Sequence, residues 1–191
     1  GKSIIYPKYR FGKHQSLMFG IWQLDIESKK KTLLTPDMRA NHPKYSPDGT
    51  KIVFVAHENS TTQLYTMNAD GSDIKPLTMN EGDTQIITPV WRPDGKAIAF
   101  AQSDPDGLMD LHIMDLETGR VSQITDSHEG DFAPIWHPDG KKLSYTGLYD
   151  YTPNLYTHDL ETGETIQNTD IGDAVIAVSW NHETSAITAL P

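Results

Sequence analysis

The sequence predicts an all-β chain: a β-propeller of four-stranded antiparallel blades, with about four blades or an incomplete arc of a larger ring. Three observations predict it. One stretch recurs three times at near-constant spacing. A second series of stretches runs in step with it. Every apolar piece between them is short and bounded by turn residues.

The first series is "PKYSPDGTKIVFVA" (43–56), "PVWRPDGKAIAFAQ" (89–102) and "PIWHPDGKKLSYTG" (134–147). Asp48, Asp94 and Asp139 fall 46 and 45 residues apart, and an aromatic (Tyr45, Trp91 or Trp136) stands three residues before each. A weaker copy, "VSWNHETSAITAL", puts Trp180 in the aromatic place. The second series is "QLYTMNADGSDIKPLT" (63–78), "DLHIMDLETGRVSQIT" (110–125) and "NLYTHDLETGETIQNT" (154–169), with "GIWQLDIESKKKTLLT" (20–35) as a divergent first copy.

Each unit therefore holds four short strands, and the units run over about 1–35, 43–78, 89–125, 134–169 and 175–190 of a single propeller domain or fragment. The "PDG" element suits a tight hairpin, because proline presets φ and glycine takes the left-handed position. "ADGSD", "ETGR" and "ETGE" supply a second turn between the third and fourth strands. No stretch reads as a long amphipathic helix. One small twisted sheet cannot cover both faces, so blades stack around an axis. The repeated aromatic is expected on the innermost strand, filling the wedge between blades.

Composition narrows the partners. Twenty-six acids against sixteen bases give a net charge of −10, which argues against a nucleic-acid backbone and an anionic membrane surface. There is no cysteine, so neither disulfide nor thiolate chemistry is available. No apolar run is long enough to span a bilayer. "GKSIIYPKYR" lacks the pattern of a signal peptide.

Units two to four, over 43–169, resemble the WD-like repeat of the TolB propeller family: an aromatic, Ser/Arg-Pro-Asp-Gly-Lys, an apolar strand, a Leu/Ile-Tyr strand and a closing "LT". The resemblance implies a periplasmic or secreted, non-catalytic module that binds a protein or peptide on its loop face. The same blades occur in the propellers of tricorn-like proteases and dipeptidyl peptidases, so the alternative is the propeller of a larger enzyme, a serine-peptidase gating domain or a metal-dependent lyase. The sequence departs from the family pattern in three places. Unit one lacks "PDG" and carries "RFGKHQSLMFG". Unit five stops after two strands. No stretch of the sequence reads as the family's additional N-terminal domain. "KSIIYPK" aligns with a second strand, and "AVIAVSW" has the innermost-strand pattern. "SAITALP" reads as a second strand and competes with "KSIIYPK" for one place. An incomplete arc is the favoured arrangement, and its open edges could pair into a homodimer.

The topology the resemblance implies puts the longer loops and the links between blades on one face. Binding lives on such loops. The candidate face carries Asp37, His42, His57, Asp83, His128, Asp131, Tyr149, Tyr151 and Asp173. Asp37, Asp83, Asp131 and Asp173 recur in the links and could ring a channel mouth, attracting a cation or a basic peptide. The histidines, His14 included, show no His-x-His or His-Glu-x-x-His spacing, so no metal ligand set is legible. No cofactor is expected, with a divalent cation at the acidic links as the weaker alternative. No Gly-x-Ser-x-Gly elbow or phosphate-binding loop occurs, and no catalytic residue is assigned.

Overall fold

The computed structural model describes residues 1–12, 16–103, 105–170, 177–181 and 186–190. Those residues form seventeen strands, with a single 3-10 turn at Tyr149–Tyr151 and no α-helix. They group into two compact units, Gly1–Pro89 and Val90–Pro191.

In the first unit, β1 (Ser3–Phe11), β2 (Leu17–Asp25) and β3 (Lys31–Leu33) form a three-stranded antiparallel sheet in that order. β4 (Ala40–Tyr45), β5 (Lys51–Glu58), β6 (Thr61–Asn68) and β7 (Lys75–Pro76) form a complete blade. The next blade is β8 (Ile86–Trp91), β9 (Ala97–Ser103), β10 (Met109–Asp115) and β11 (Val121–Gln123), and the unit division falls inside β8. In the second unit, β12 (Asp131–Trp136), β13 (Lys142–Gly147), β14 (Asn154–Asp159) and β15 (Thr165–Gln167) form another. β16 (Ala177–Asn181) pairs with β17 (Ala186–Leu190). That pairing follows the second-strand reading of "SAITALP", while β1 pairs with β2. Three innermost strands end at the expected aromatics, Tyr45, Trp91 and Trp136.

These strands begin three residues before the prolines that mark the repeat. The reason is a bulge. His42, Thr88 and Ala133 each immediately precede a repeat proline and each has left-handed backbone, with φ of 50°, 50° and 54°. The registers of β4 on β5 and β12 on β13 shift across that point. A bulge frees one position from the ladder, and proline, lacking an N–H, fits there at no hydrogen-bond cost.

The turns explain the acids. Gly49, Gly95 and Gly140 have φ near +70° and donate their amides back to Ser46, Arg92 and His137. The aspartate before each glycine accepts the backbone N–H two residues on: Asp48 from Thr50, Asp94 from Lys96, Asp139 from Lys141. Asp25, Asp70, Asp115 and Asp159 hold the second turns in the same manner. Part of the acid excess is thus turn architecture.

Second strands sit in the middle of each blade and are covered on both faces. Ile52–Ala56 and Ala97–Ala101 are continuously buried. A strand covered on both sides reads as an unbroken apolar run. In the first unit Ile21, Ile52, Phe54 and Met67 form one core, with Ile5, Met38 and Tyr45 against it. Tyr45 also ties the sheets together through its hydroxyl, 2.9 Å from Ser3 Oγ and 2.8 Å from Gln23 Nε2. In the second unit Trp136 packs on Ala99 and Leu143, flanked by Val90, Ile113 and Leu160. Trp91 is half-buried.

Fourth strands are only two or three residues long and mostly exposed, a length that blunts an outer edge. What holds them is the closing threonine of the "LT" signature. Thr35, Thr78, Thr125 and Thr169 each accept, at 2.9–3.0 Å, the backbone N–H of a third-strand residue: Ile21, Leu64, Leu111 and Leu155.

Candidate functional site

Two places on the loop ends of the blades concentrate polar chemistry, one in each unit.

The first is a groove of about 470 Å³ between the β5–β6 loop and the link that follows β7. Glu58, Asn59, Tyr65, Met79, Asn80 and Glu81 are among its lining residues. The loop is set by left-handed Asn59 and Ser60. It is pinned to the link by Gln85 Nε2, which donates to Ser60 O at 2.9 Å, and by Thr61 Oγ1, which donates to Thr84 O at 2.7 Å. Inside the groove the Tyr65 hydroxyl donates to Glu58. Burial, and then that bond, push the phenol up to about 12. Met79 stands almost wholly exposed at the rim, and Asn80 Nδ2 is covered without a partner. The surface is acidic, part apolar and open.

The second lies where β12 begins. Asp131 is the first residue of that strand and has no exposed surface. It pairs across the ladder with Gly147, the last residue of β13. A β-carbon at 147 would lie 2.9 Å from Asp131 Oδ1, 2.6 Å from the Tyr149 ring and 2.9 Å from the Tyr156 ring. Only glycine leaves room for these three groups to meet. The Tyr149 ring stands edge-on to Tyr156 with centroids 4.5 Å apart, and Tyr156 stacks on Tyr145 at 5.8 Å. Tyr145 is fully buried, while Tyr149 is about a third exposed.

Asp110, at the second position of β10, is a second buried acid. It is well supplied with donors: Ser127 N at 2.9 Å, Gln123 Nε2 at 3.2 Å and Thr125 Oγ1 at 3.5 Å. Asp131 is not. Neither of its carboxylate oxygens has a partner within hydrogen-bonding distance. Burial pushes its pKa up to about 6. The Asp110 charge adds to the rise, and the hydroxyls of Thr125, Ser127 and Tyr149, which face the carboxylate, oppose it. Burial and the Asp131 charge likewise raise the Tyr145 phenol.

Of the residues expected on the loop face, Asp131 and Tyr149 are brought together. Tyr151 follows on the same 3-10 turn, is almost fully exposed, has φ of 58° and donates its amide to Glu129 Oε2 at 3.2 Å. His42 is a bulge residue, its Nδ1 2.6 Å from Asn41 Oδ1, and burial lowers its pKa. His57 and His128 are exposed. Asp83 is exposed beside the Glu58 groove, next to Gly82 in its wall. Asp37 lines a separate cavity of about 650 Å³ with Arg10, Phe11, Met18 and Pro36, where Arg10 donates to the Pro36 carbonyl. Asp173 and His14 lie outside the described residues. Among the described residues no three histidine, aspartate or glutamate side chains gather to hold a metal ion. Asp110, Tyr145 and Gly147 escape a reading of loops because they sit inside strands. Asp110 did leave a signal: it stands in the repeat where the other copies have Gln63 and Asn154.

The geometry sits on a recognisable scaffold. A family model described as the TolB beta propeller domain matches residues 82–190, more than half of the chain. The chain is 33% identical over 92 residues to Tol-Pal system protein TolB of Anaeromyxobacter dehalogenans, covering 48% of this chain and 19% of that protein. It is 30% identical over 105 residues to the uncharacterized peptidase YuxL of Bacillus subtilis, covering 51% of this chain and 16% of the peptidase. The crystal structure of TolB from Acinetobacter baumannii superposes with a TM-score of 0.82 at 21% identity, over 97% of this chain and 46% of that one. That similarity speaks for the fold. In each case the chain spans less than half of its relative's length.

Proposed function

This chain belongs to the TolB β-propeller family, and from that premise we propose that it is a non-catalytic propeller module that binds a protein or peptide partner on its loop face, in the periplasm. The observation that carries the reading is the open groove beside Glu58, Met79 and Glu81. It combines an exposed thioether with acidic walls, a surface that suits an extended segment bearing apolar and basic side chains. The net charge of −10 favours encounter with such a segment. The similarity to a protein named for the Tol-Pal system supports a protein partner and the compartment.

Selection of peptides from a displayed random library against the purified chain tests this. Binders should be enriched in Lys and Arg. The double variant Met79→Ala/Glu81→Lys should weaken them at least about tenfold, a loss of ~1.4 kcal/mol. Lys51→Glu, at the "PDG" end of β5, should leave them unchanged. Equal losses in both variants, or no binder at all, would remove the loop-face reading.

The similarity to a Bacillus subtilis peptidase favours a second reading, the propeller of a larger peptidase. A reading frame that continues into an α/β-hydrolase segment would select it.

A further inference from the structure

Ala40, Ile86 and Asp131 occupy one position of the repeat, the first residue of the innermost strand, five residues before the aromatic. All three are fully buried. Burying alanine or isoleucine there stabilises the blade, whereas burying a carboxylate with no cation beside it destabilises it. The fold itself therefore does not require an acid at this position. In this copy it keeps one, and keeps a glycine at 147 that leaves room for it.

Asp131 Oδ1, Asp131 Oδ2 and the hydroxyl of fully buried Tyr145 each lack a partner within hydrogen-bonding distance, and the groups that face the carboxylate, the hydroxyls of Thr125, Ser127 and Tyr149, are all neutral. The Asp110 carboxylate adds a second negative charge, and its own oxygens are already bonded. None of the ion pairs among the described residues involves either acid. What the site lacks is a positive charge, and a cation that donates hydrogen bonds would supply it.

Its chemistry follows from the surroundings. A hard metal ion takes six or more oxygen ligands, roughly, usually with several carboxylates. Among the described residues no third carboxylate or histidine joins Asp110 and Asp131. Tyrosine rings stand there instead: Tyr149 and Tyr156 flank Asp131 with aromatic carbon, and such rings attract organic cations. A primary ammonium carries three donors on an aliphatic stem. We propose that Asp131, Tyr145 and Tyr149 form a binding site for one primary ammonium group, such as a lysine side chain or a free N-terminal amine. The ammonium sits against Asp131 and the Tyr145 hydroxyl, and Tyr149, the one exposed ring, is the door. The inference rests on the loop-face reading only for the macromolecule that would carry the amine.

A free amine tests it without any partner. The probe is n-butylammonium chloride in an amine-free buffer at pH 7.5, read by the melting temperature and by isothermal titration. Tetramethylammonium has the charge but no N–H, butanol has the stem but no charge, and sodium and calcium chlorides test inorganic ions. Butylammonium alone should raise the melting temperature. Asp131→Asn, the same size without the charge, should weaken it at least about tenfold, and Tyr145→Phe several-fold. If Asp131→Asn does not fold, Tyr145→Phe carries the test. Calcium or sodium giving the same Asp131-dependent rise would make this a metal site and overturn the proposal, as would no Asp131-dependent response to butylammonium. A peptide partner found on the Glu58 groove while butylammonium fails would sink this inference and leave the proposed function standing.

Discussion

Thr78 donates its hydroxyl to the Gln63 side-chain oxygen at 2.8 Å, and the same hydroxyl accepts the Leu64 amide at 2.9 Å. The next two copies repeat the pair with different acceptors. Thr125 sits on Asp110, and Thr169 donates to Asn154 at 2.9 Å. A buried polar residue at the head of the third strand thus clamps the threonine that ends the blade. In the first two copies it also receives the amide of the link that follows, from Asn80 or Ser127.

Replacing Thr78 by Val keeps the shape and removes the clamp. It leaves the Leu64 N–H buried and unpaired, at a cost of about 1–3 kcal/mol. Thr78→Ser, which keeps the oxygen, should lose clearly less. Urea denaturation of the three proteins checks both values. Equal midpoints for Thr78→Val and wild type would mean that the threonine is ornamental.

The tryptophan wedge makes a separate claim. Trp136 is nearly buried against Ala99, Leu143 and their neighbours, with the Arg92 guanidinium 5.9 Å from its ring. Trp136→Ala should cost about 3–5 kcal/mol through the lost contacts and the cavity left behind. Its indole N–H is buried without a partner, so Trp136→Phe removes a liability along with volume. That change should cost below about 1.5 kcal/mol. The same denaturation experiment reads the difference, and similar losses for Ala and Phe would contradict it.

Much of this architecture was legible because a repeat is compared with itself. Matching "PDG" turns mark the strand ends at Tyr45, Trp91 and Trp136 in the sequence itself. Turn glycines and aspartates act locally, so local sequence reveals them. The bulge at His42, Thr88 and Ala133 was not legible. Its three residues share no chemistry, only a left-handed backbone and the proline that follows. The site was half legible. Asp131 and Tyr149 read as loop residues, but an acid in a link looks solvated until neighbouring strands bury it. Five residues upstream of the aromatics, Asp131 stands in the repeat with Ala40 and Ile86, and only there is its oddity legible.

Gly147 is predicted to tolerate no side chain. Its backbone is ordinary; the obstacle is space, since an added methyl would meet Asp131, Tyr149 and Tyr156 all closer than 3.0 Å. Gly147→Ala should destabilise by about 1–3 kcal/mol, the usual cost of overpacking. It should also lower the protection of Tyr149 from iodination or nitration, because the ring is the group nearest to the intruding methyl. An unchanged melting temperature together with unchanged Tyr149 reactivity would show that the packing around Gly147 has slack.

The charge on Asp131 should be visible as a pH dependence of stability. Its carboxyl moves from 3.8 in the unfolded chain to about 6 in the fold. The folded state therefore holds this proton more tightly than the unfolded state does. The stabilisation from that proton is fully present below about pH 3.8 and is lost as pH rises through about 6, amounting to ~3 kcal/mol across the interval. The groups that face it are Asp110, Tyr145 and Tyr149, and of these only Asp110 adds charge near neutrality. Turn aspartates such as Asp48 and Asp94 act with the opposite sign, since hydrogen bonds hold their carboxyls below the usual range and their stabilisation fades in acid. The clean measurement is consequently a difference, the stability of wild type minus that of Asp131→Asn, taken by urea denaturation from pH 4 to 8. The turn contributions cancel in it. The difference should fall as pH rises and level off above about pH 7, with Asp131→Asn the more stable protein there. A flat difference would mean that Asp131 is already paired, or is solvated in the folded chain.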